Sequence, residues 1–458
     1  MPWLGSIPEH WRLRRMKHLL HERNEKGFPD EPLLAATQTR GVVRKEQYES
    51  RTVLALKDLH LLKHVHIGDF VISLRSFQGG IEYAREHGII SPAYTVLFPT
   101  HPTTHGFLAW FFKSKPYIEN LSLFVTGIRQ GQNVDYEKLS RSELPLPPKG
   151  ERESIVQFLS YADRRIRSYI RTKQKLIQLL EEQKQAIIHR AVTRGLDPNV
   201  HFRPSGVEWL GDVPEGWEVK PVGNFCPYIS YGFTNPMPTT DDGPFMLTAN
   251  DIGNGRILYE TARHTSQIAY DSLLTSKSRP QKGDILVTKD GTLGRVAVSD
   301  GRFACINQSV ALLRVDQRQV QPEYLTTALA SHTYLEQMIL DAGGTTIKHI
   351  YITRLSKMRM SIPPLSEQNE ILREVREKVT GLDLALRCAQ QEIELIRAYR
   401  TRLITDVVSG KLDVREAAAK LPREAAEAGV PQEADVLVES DEGSVEVEAE
   451  TMPEEAEA

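Results

Sequence analysis

The stretch WLGSIPEHW at residues 3–11 is written a second time, as WLGDVPEGW, at residues 209–217. The echo continues along the chain. HIGDFVISLRSFQGG (66–80) matches QKGDILVTKDGTLGR (281–295), LSRSELPLPPKGERESI (139–155) matches LSKMRMSIPPLSEQNEI (355–371), and IIHRAVTRGLD (187–197) matches LITDVVSGKLD (403–413). The four landmarks keep one order, at offsets of 206, 215, 216 and 216 residues. A repeat of so long a period is a tandem duplication of a domain of about 200 residues, not a solenoid.

Each copy has the same internal grammar. Short β-type runs follow the Trp phrase: DFVISL and YTVLF in the first copy, DILVTK and SVALLRV in the second. Gly, Asn and Asp turn signals separate them from helix candidates GFLAWFFKS and PEYLTTALASHTYLEQMIL. A Pro-Pro pair (Pro147, Pro148; Pro363, Pro364) closes each domain, and a long helical pattern begins. Ile155, Leu159, Ala162, Ile166, Tyr169, Leu176, Leu180, Ile187 and Ala191 recur at helical spacing. Val375, Val379, Leu382, Leu386, Ala389, Ile393, Ile396, Leu403 and Val407 do the same. Ser366 is the expected N-cap of the second helix, with Gly150 a weaker one at the matching place of the first. About 40 helical residues make a rod on the order of 60 Å. One rod alone would leave its apolar seam in water, so two in one chain predict an antiparallel coiled coil.

The expected fold class is therefore mixed α+β: two similar domains separated by two long antiparallel helices, with pseudo-twofold internal symmetry. The boundaries read as domain one at 1–149, first spacer helix at 150–196, domain two at 197–365, second spacer helix at 366–412, and an acidic disordered tail at 413–458. Twin domains with an approximate dyad suit a ligand that has one too, and duplex DNA is the foremost case.

Charge supports a polyanionic partner once the tail is set apart. The chain has 57 Lys+Arg and 60 Asp+Glu; residues 416–458 hold 2 and 14 of these, which leaves 55 and 46, a net of +9, for residues 1–415. The tail is Ala-rich and almost free of aromatics, the composition of a solvating extension. The start MPWLGSIPEHWRLRR lacks the apolar stretch of a signal peptide, and GFLAWFF is too short to span a bilayer. Cys226, Cys305 and Cys388 stand far apart with no CxxC pairing, which argues against a disulfide framework or a zinc site and for a reducing cytosol, and no metal site is expected. A cytoplasmic protein without membrane contact is the expectation.

At this point the residues resemble a known family. Trp-Leu-Gly-x-x-Pro-Glu-x-Trp opening each half, Gly-Asp-Phe-Val-Ile-Ser and Gly-Asp-Ile-Leu-Val-Thr in mid-domain, and Pro-Pro-Leu-Ser-Glu-Gln before a long helix look like the specificity subunit of type I restriction–modification enzymes. The resemblance covers about residues 1–413. The first half departs from the pattern: PPKGER replaces PPLSEQ, and the lead-in RPSGVE before Trp209 has no counterpart before Trp3. The resemblance implies a non-catalytic subunit that binds double-stranded DNA, with one target recognition domain for each half of a split sequence. It also implies that the helical pair sets the gap between the halves and holds two copies of a modification subunit. In such a complex the modification subunit carries S-adenosylmethionine and methylates adenine N6. A restriction subunit uses ATP and Mg²⁺ to translocate and cut DNA, and no cofactor is expected on this chain.

Two rival readings belong to other classes: a self-contained restriction–methylation enzyme, and a coiled-coil adaptor whose twin domains bind proteins. Against the enzyme, the sequence has no Asn-Pro-Pro-Tyr/Phe to hold a flipped base; NPMP (235–238) is no substitute. Nor does it have a phosphate-binding loop, since SGKL (409–412) lacks the first glycine and the hydroxyl. Glu182 and Lys184 read as helix surface, and the pair His64 and His66 reads as facing solvent rather than a metal. Trp3, Trp11, Trp209 and Trp217 read as anchors for the chain's entry onto each core, and Gly68-Asp69 and Gly283-Asp284 as structural turns.

The DNA-reading candidates lie elsewhere. SLRSFQGG (73–80) offers Ser73, Arg75 and Gln78, and TKDGTLGR (288–295) offers Lys289, Thr292 and Arg295, polar or basic groups in Gly-rich turns at a strand's exit. TGIRQGQNVDYEKL (126–139) contains Arg129, Gln130, Gln132 and Asn133: Arg pairs bidentately with guanine, and Gln and Asn with adenine. GGTTIKHIYITRL (343–355) stands at the corresponding place with Thr345, Thr346, Lys348 and His349. Different side chains on matching scaffolds are what two different half-sites require.

Overall fold

The computed structural model describes residues 3–38, 40–47, 58–101, 103–126, 133–343 and 348–422. The chain divides into two compact units, residues 1–174 with 391–458, and residues 175–390. The sequence places domain edges at the ends of the long helices; the units instead divide within them, so that each unit owns one end of both.

In the first unit a four-stranded antiparallel sheet is built from β1 (Leu20–Arg23), β2 (Phe70–Ile72), β3 (Glu82–Tyr83) and β4 (Thr95–Pro99) in the order β1-β4-β2-β3. The second unit has β5 (Tyr228–Tyr231), β6 (Ile285–Thr288), β7 (Val296–Val298) and β8 (Val310–Arg314), in the order β5-β8-β6-β7. The duplication read from the sequence is thus a duplication of topology. The inner strands β2 and β6 read as continuous apolar runs because both of their faces are covered. Phe70, Ile72 and Leu97 face the helical core of the first unit, while Val71 and Val96 face a second small core with Leu34, Val42 and Ile90. In the second unit Ile285, Val287 and Leu313 face one core, and Leu286 and Leu312 the other. The expected helix PEYLTTALASHTYLEQMIL is two helices, Pro322–Leu329 and His332–Leu340. They are separated at Ser331, whose buried hydroxyl donates to the Ala328 carbonyl.

The strand after each Trp phrase pairs with the strand before each Pro-Pro: Arg12–Arg15 with Glu143–Leu146, and Glu218–Pro221 with Arg359–Ile362. The start of each domain therefore lies against its end, where a long helix departs. Helix α1 is Lys149–Arg194 and helix α2 is Leu365–Val408. Ser366 and Gly150 are not N-caps, because each is already the second residue of its helix. The first intrahelical bonds run to proline carbonyls, from Arg152 N to Pro148 and from Gln368 N to Pro364. At matching positions the buried side chains of Arg152 and Gln368 donate to the carbonyls of Pro147 and Pro363.

Within each unit the two helices run antiparallel. In the first, Arg400 pairs with Asp163 at 2.6 Å and Lys173 with Glu392 at 2.6 Å; in the second, Lys184 pairs with Asp383 at 2.6 Å. Glu182 is exposed and accepts from Gln178. The seam is well buried on α2, where Leu386, Ala389 and Ile393 are 3–8% exposed, but Tyr169 and Leu176 of α1 are 43% and 40% exposed.

Trp11 and Trp217 each hold the start of one helix and the end of the other. Trp11 donates its indole N–H to Glu151 of α1 at 3.0 Å, and Trp217 donates to Glu367 of α2 at 3.0 Å. Gly410 follows α2 at φ +76°, and a Cβ there would lie 2.5 Å from Pro8 and 3.0 Å from Trp11. Gly195 follows α1 at φ +72°, and a Cβ there would lie 2.9 Å from Glu367 and 3.4 Å from Trp217. Both sites need glycine for the left-handed turn and for the close approach. The nine-residue phrase is written twice because two helix junctions must be tied, one in each unit.

The acidic tail begins later than its composition suggests. The expected disordered segment started at 413, yet Arg415–Ala419 is a short helix, with Val414 2% and Ala418 3% exposed. Val414 is an apolar side chain that joins the first unit's core beside Val407 and Val408. Residues 423–458 lie outside the described residues. Among the described residues no helix is long and apolar enough to cross a membrane.

Candidate nucleic-acid interface

The Gly-Asp turns frame the surface. Gly68 and Gly283 sit at φ +96° and +87°, and the aspartates that follow are 2% exposed. Asp69 accepts from the backbone N–H of His66, and Asp284 from that of Gln281, at matching positions of the two copies. Each carboxylate also takes an arginine, but from different strands: Arg23 of β1 pairs with Asp69, and Arg314 of β8 pairs with Asp284. The aromatic partner is exchanged in the same way. Arg23 lies over Phe98 of β4, and Arg314 lies over Tyr228 of β5. Hydrogen bonding to Asp284 raises the Arg314 guanidinium above its ordinary pKa, outweighing burial. Because Asp284 is buried and bound to Arg314 through both carboxylate oxygens, Asp284→Asn should lower stability by about 3 kcal/mol in denaturant unfolding, since an unpaired arginine remains at the site.

Beyond the turn of the second unit, two segments that are 50 or more residues apart in sequence come together. The Ile350 N–H donates to the Lys289 carbonyl at 2.9 Å, and Gly343 and His349 exchange backbone hydrogen bonds at 3.0 and 2.7 Å. Lys289 Nζ lies 2.8 Å from Asp290, whose other oxygen lies 2.7 Å from His349 Nδ1. Sequence reading missed Asp290, which links the two candidates, and Tyr231. The Tyr231 ring is 38% exposed, with Lys277 and Lys289 Nζ each 5.6 Å from its centroid. An exposed aromatic between two ammonium groups is a surface on which a base can stack beside its phosphate. The signal was present in YISYGF: Tyr231 is the last residue of an antiparallel strand, next to a glycine.

The remaining candidates divide. Thr292 and Lys348 are exposed and Arg295 is half-buried, its backbone N–H bound to the Thr288 hydroxyl. Thr345 and Thr346 lie outside the described residues, as do Arg129, Gln130 and Gln132. Asn133 is half-buried on a short strand paired with Thr126. In the 73–80 turn Arg75 and Gln78 are exposed, but Ser73 is turned inward, 7% exposed. Its hydroxyl accepts from the Arg75 N–H at 3.4 Å and lies 3.4 Å from the Ser76 hydroxyl, so local turn bonding withdraws it from the surface. Gln78 receives a hydrogen bond from Gln38 at 2.9 Å. Gln38 lies just after the strand Leu34–Thr37, at the turn to Gly41–Arg44, a polar tip that the sequence marks as QTRG but that was not singled out.

Residues 214–376 match the family model of the type I restriction modification DNA specificity domain. The chain is 23% identical over 447 residues to a putative type I restriction enzyme MjaX specificity subunit of Methanocaldococcus jannaschii, covering 90% of this chain and 96% of that protein. It is 25% identical over 255 residues to the type I restriction enzyme EcoBI specificity subunit of Escherichia coli, covering 54% of this chain and 53% of that one. The chain is similar to type I specificity subunits over most of its length, and residues 214–376 carry the DNA specificity domain. A solved chain from a study of complex assembly and conformational transition of the type I R-M system shares the fold, with a TM-score of 0.63, 18% identity and coverage of 89% of this chain and 100% of that one. The family model reaches only the second domain of this chain. The first is tied to it by the shared strand order, the Trp–Glu bonds and the Gly-Asp turns.

Proposed function

We propose that this chain reads a bipartite sequence in double-stranded DNA, one half with each domain, and carries no catalytic step itself. Two modification subunits, binding S-adenosylmethionine, would dock on the helical pair and methylate adenine. Restriction subunits, using ATP and Mg²⁺, would join the same complex. The observation that carries this reading is the pairing of identical scaffolds with unlike surfaces: the same strand order and turns present Arg75 and Gln78 in one copy, and Tyr231, Lys289, Thr292 and Lys348 in the other. Docking of a partner is supported by leucines left exposed on the helices, Leu179 (49%) and Leu384 (56%) in the second unit and Leu395 (70%) in the first.

The test is reconstitution. The chain alone should methylate no DNA, and mixing it with its modification partner should produce adenine methylation at one split sequence. Failure of that mixture on DNA of varied sequence would overturn the reading in favour of a protein-binding adaptor. Alanine at Tyr231 and Lys289 should weaken binding about 10- to 100-fold and relax one half of the target only, since each good base contact contributes about 1–3 kcal/mol. Alanine at Arg129 and Gln132 should relax the other half only. Profiling methylated adenines with each variant checks both.

A further inference from the structure

The first domain brings together three metal-ligating side chains that the DNA-reading role does not use. Glu25 follows β1, and His64 and His66 lie on and just after the short strand Lys63–Val65. Residues two apart on a strand point to the same side, so the histidines face one way. The sequence suggests solvent for both, but His64 is 8% exposed, stacked on Phe28 at 4.2 Å, and neither of its ring nitrogens has a hydrogen-bond partner. A buried imidazole with both nitrogens unpartnered is costly, because such groups nearly always find a partner. Glu25 Oε2 lies 3.2 Å from His66 Nε2 and 3.8 Å from His64 Nδ1. Among the described residues this is the one group of three His, Cys, Asp or Glu whose ligand atoms lie close enough to hold a metal, all within 4.8 Å of one another.

We propose that Glu25, His64 and His66 form a binding site for a divalent transition metal ion of the zinc class. Tetrahedral bonds of about 2.0–2.1 Å place ligand atoms about 3.3 Å apart, close to the separations of Glu25 Oε2 from the two imidazoles. Two imidazoles and one carboxylate suit zinc rather than calcium or magnesium, and leave a fourth position open to water.

The frame around the three ligands is already fixed. The His64 N–H donates to the Glu25 carbonyl at 2.8 Å, and the His66 N–H donates to Asp69 at 2.9 Å. Arg23, itself held by Asp69, donates to Glu25 Oε1 at 2.6 Å and leaves Oε2 to the histidines. Such outer partners orient metal ligands. The second domain provides an internal control: at the positions matching His64 and His66 it carries Arg279 and Gln281, on the same aspartate-bound turn. The site would belong to the first domain alone and would tie the segment after β1 to the strand before the Gly-Asp turn.

Equilibrium dialysis of the full chain, free of any polyhistidine tag, against Zn²⁺ is the test. One Zn²⁺ per chain is expected, with a rise in the unfolding temperature on loading and reversal by a chelator. Glu25→Gln and His66→Gln, both at exposed positions that leave the core untouched, should weaken binding by at least about 100-fold, beyond the 10- to 100-fold typical of losing an outer partner. Absence of stoichiometric binding, or binding that survives both substitutions, overturns the site. DNA reading would be unaffected by that result, since none of the three residues is placed at the proposed base-reading surface.

Discussion

Replacing Trp217 by alanine should lower the stability of the second unit by about 3–5 kcal/mol, the range for emptying a buried aromatic position. Trp217 is 1% exposed, touches the glycine turn that ends α1, and donates to Glu367 in the first turn of α2. The alanine variant therefore removes core volume and releases two helix ends at once. Trp217→Phe brings the two effects closer to separation, because it keeps an aromatic ring in the core while losing the N–H. Burial raises the Glu367 carboxyl above its ordinary pKa, and the Trp217 hydrogen bond pulls it partly back. An acid whose folded pKa is raised works against folding where it is ionised, and stability is regained as pH falls through that pKa. Loss of the N–H should therefore cost about 2 kcal/mol at neutral pH, the scale of a hydrogen bond to a charged group. The deficit should shrink as the medium is acidified through the titration of Glu367. Denaturant unfolding at several pH values measures both. A deficit that is constant with pH would place the effect in packing alone.

The second large effect concerns the target. Four residues added to α1 and four to the facing stretch of α2 lengthen the helical pair by about 6 Å. At about 3.4 Å per base pair, the unread gap between the two halves of the recognised sequence should grow by one to two base pairs, with each half unchanged. Methylation profiling of cells carrying the lengthened chain reads this directly. An unaltered gap would show that something other than the helices sets the spacing. Loss of both halves would show that the insertion had disturbed the domains. The paired insertion matters because Asp163–Arg400 and Lys184–Asp383 fix the register of the helices, and lengthening only one would break these contacts.

The architecture was legible because duplication doubles every signal. A single Gly-Asp or Pro-Pro is weak, but the same four phrases in the same order mark equivalent places in three dimensions. The seams were legible for the same reason, down to Ala389 and Ile393. What the sequence hid were groups whose role depends on distant segments. Asp290 gains meaning only when His349 lies beside it, and Tyr231 only when Lys277 and Lys289 flank it. The inward turn of Ser73 follows from local hydroxyl bonding that looks, in sequence, like any polar turn. His64 was misread because a histidine two residues from another on a short strand resembles a polar edge. Its burial comes from Phe28, in a loop with no repeat counterpart to draw attention to it. The exchange of arginine and aromatic between β1–β4 and β5–β8 was equally invisible, since the two copies keep the aspartate and change which neighbouring strand answers it.

The division of the chain also sets an order of events during synthesis. The second unit is one uninterrupted segment, residues 175–390, whereas the first needs residues from both ends. Leu403, Ile404, Val407 and Val408 belong to the same core as Trp11, Phe107, Ile155 and Leu159. At a translation rate of roughly 5–20 residues per second, those early side chains wait on the order of tens of seconds for their cover to leave the ribosome. The domain that is made first is completed last, and until then its exposed apolar face is where chaperones and proteases would find the nascent chain.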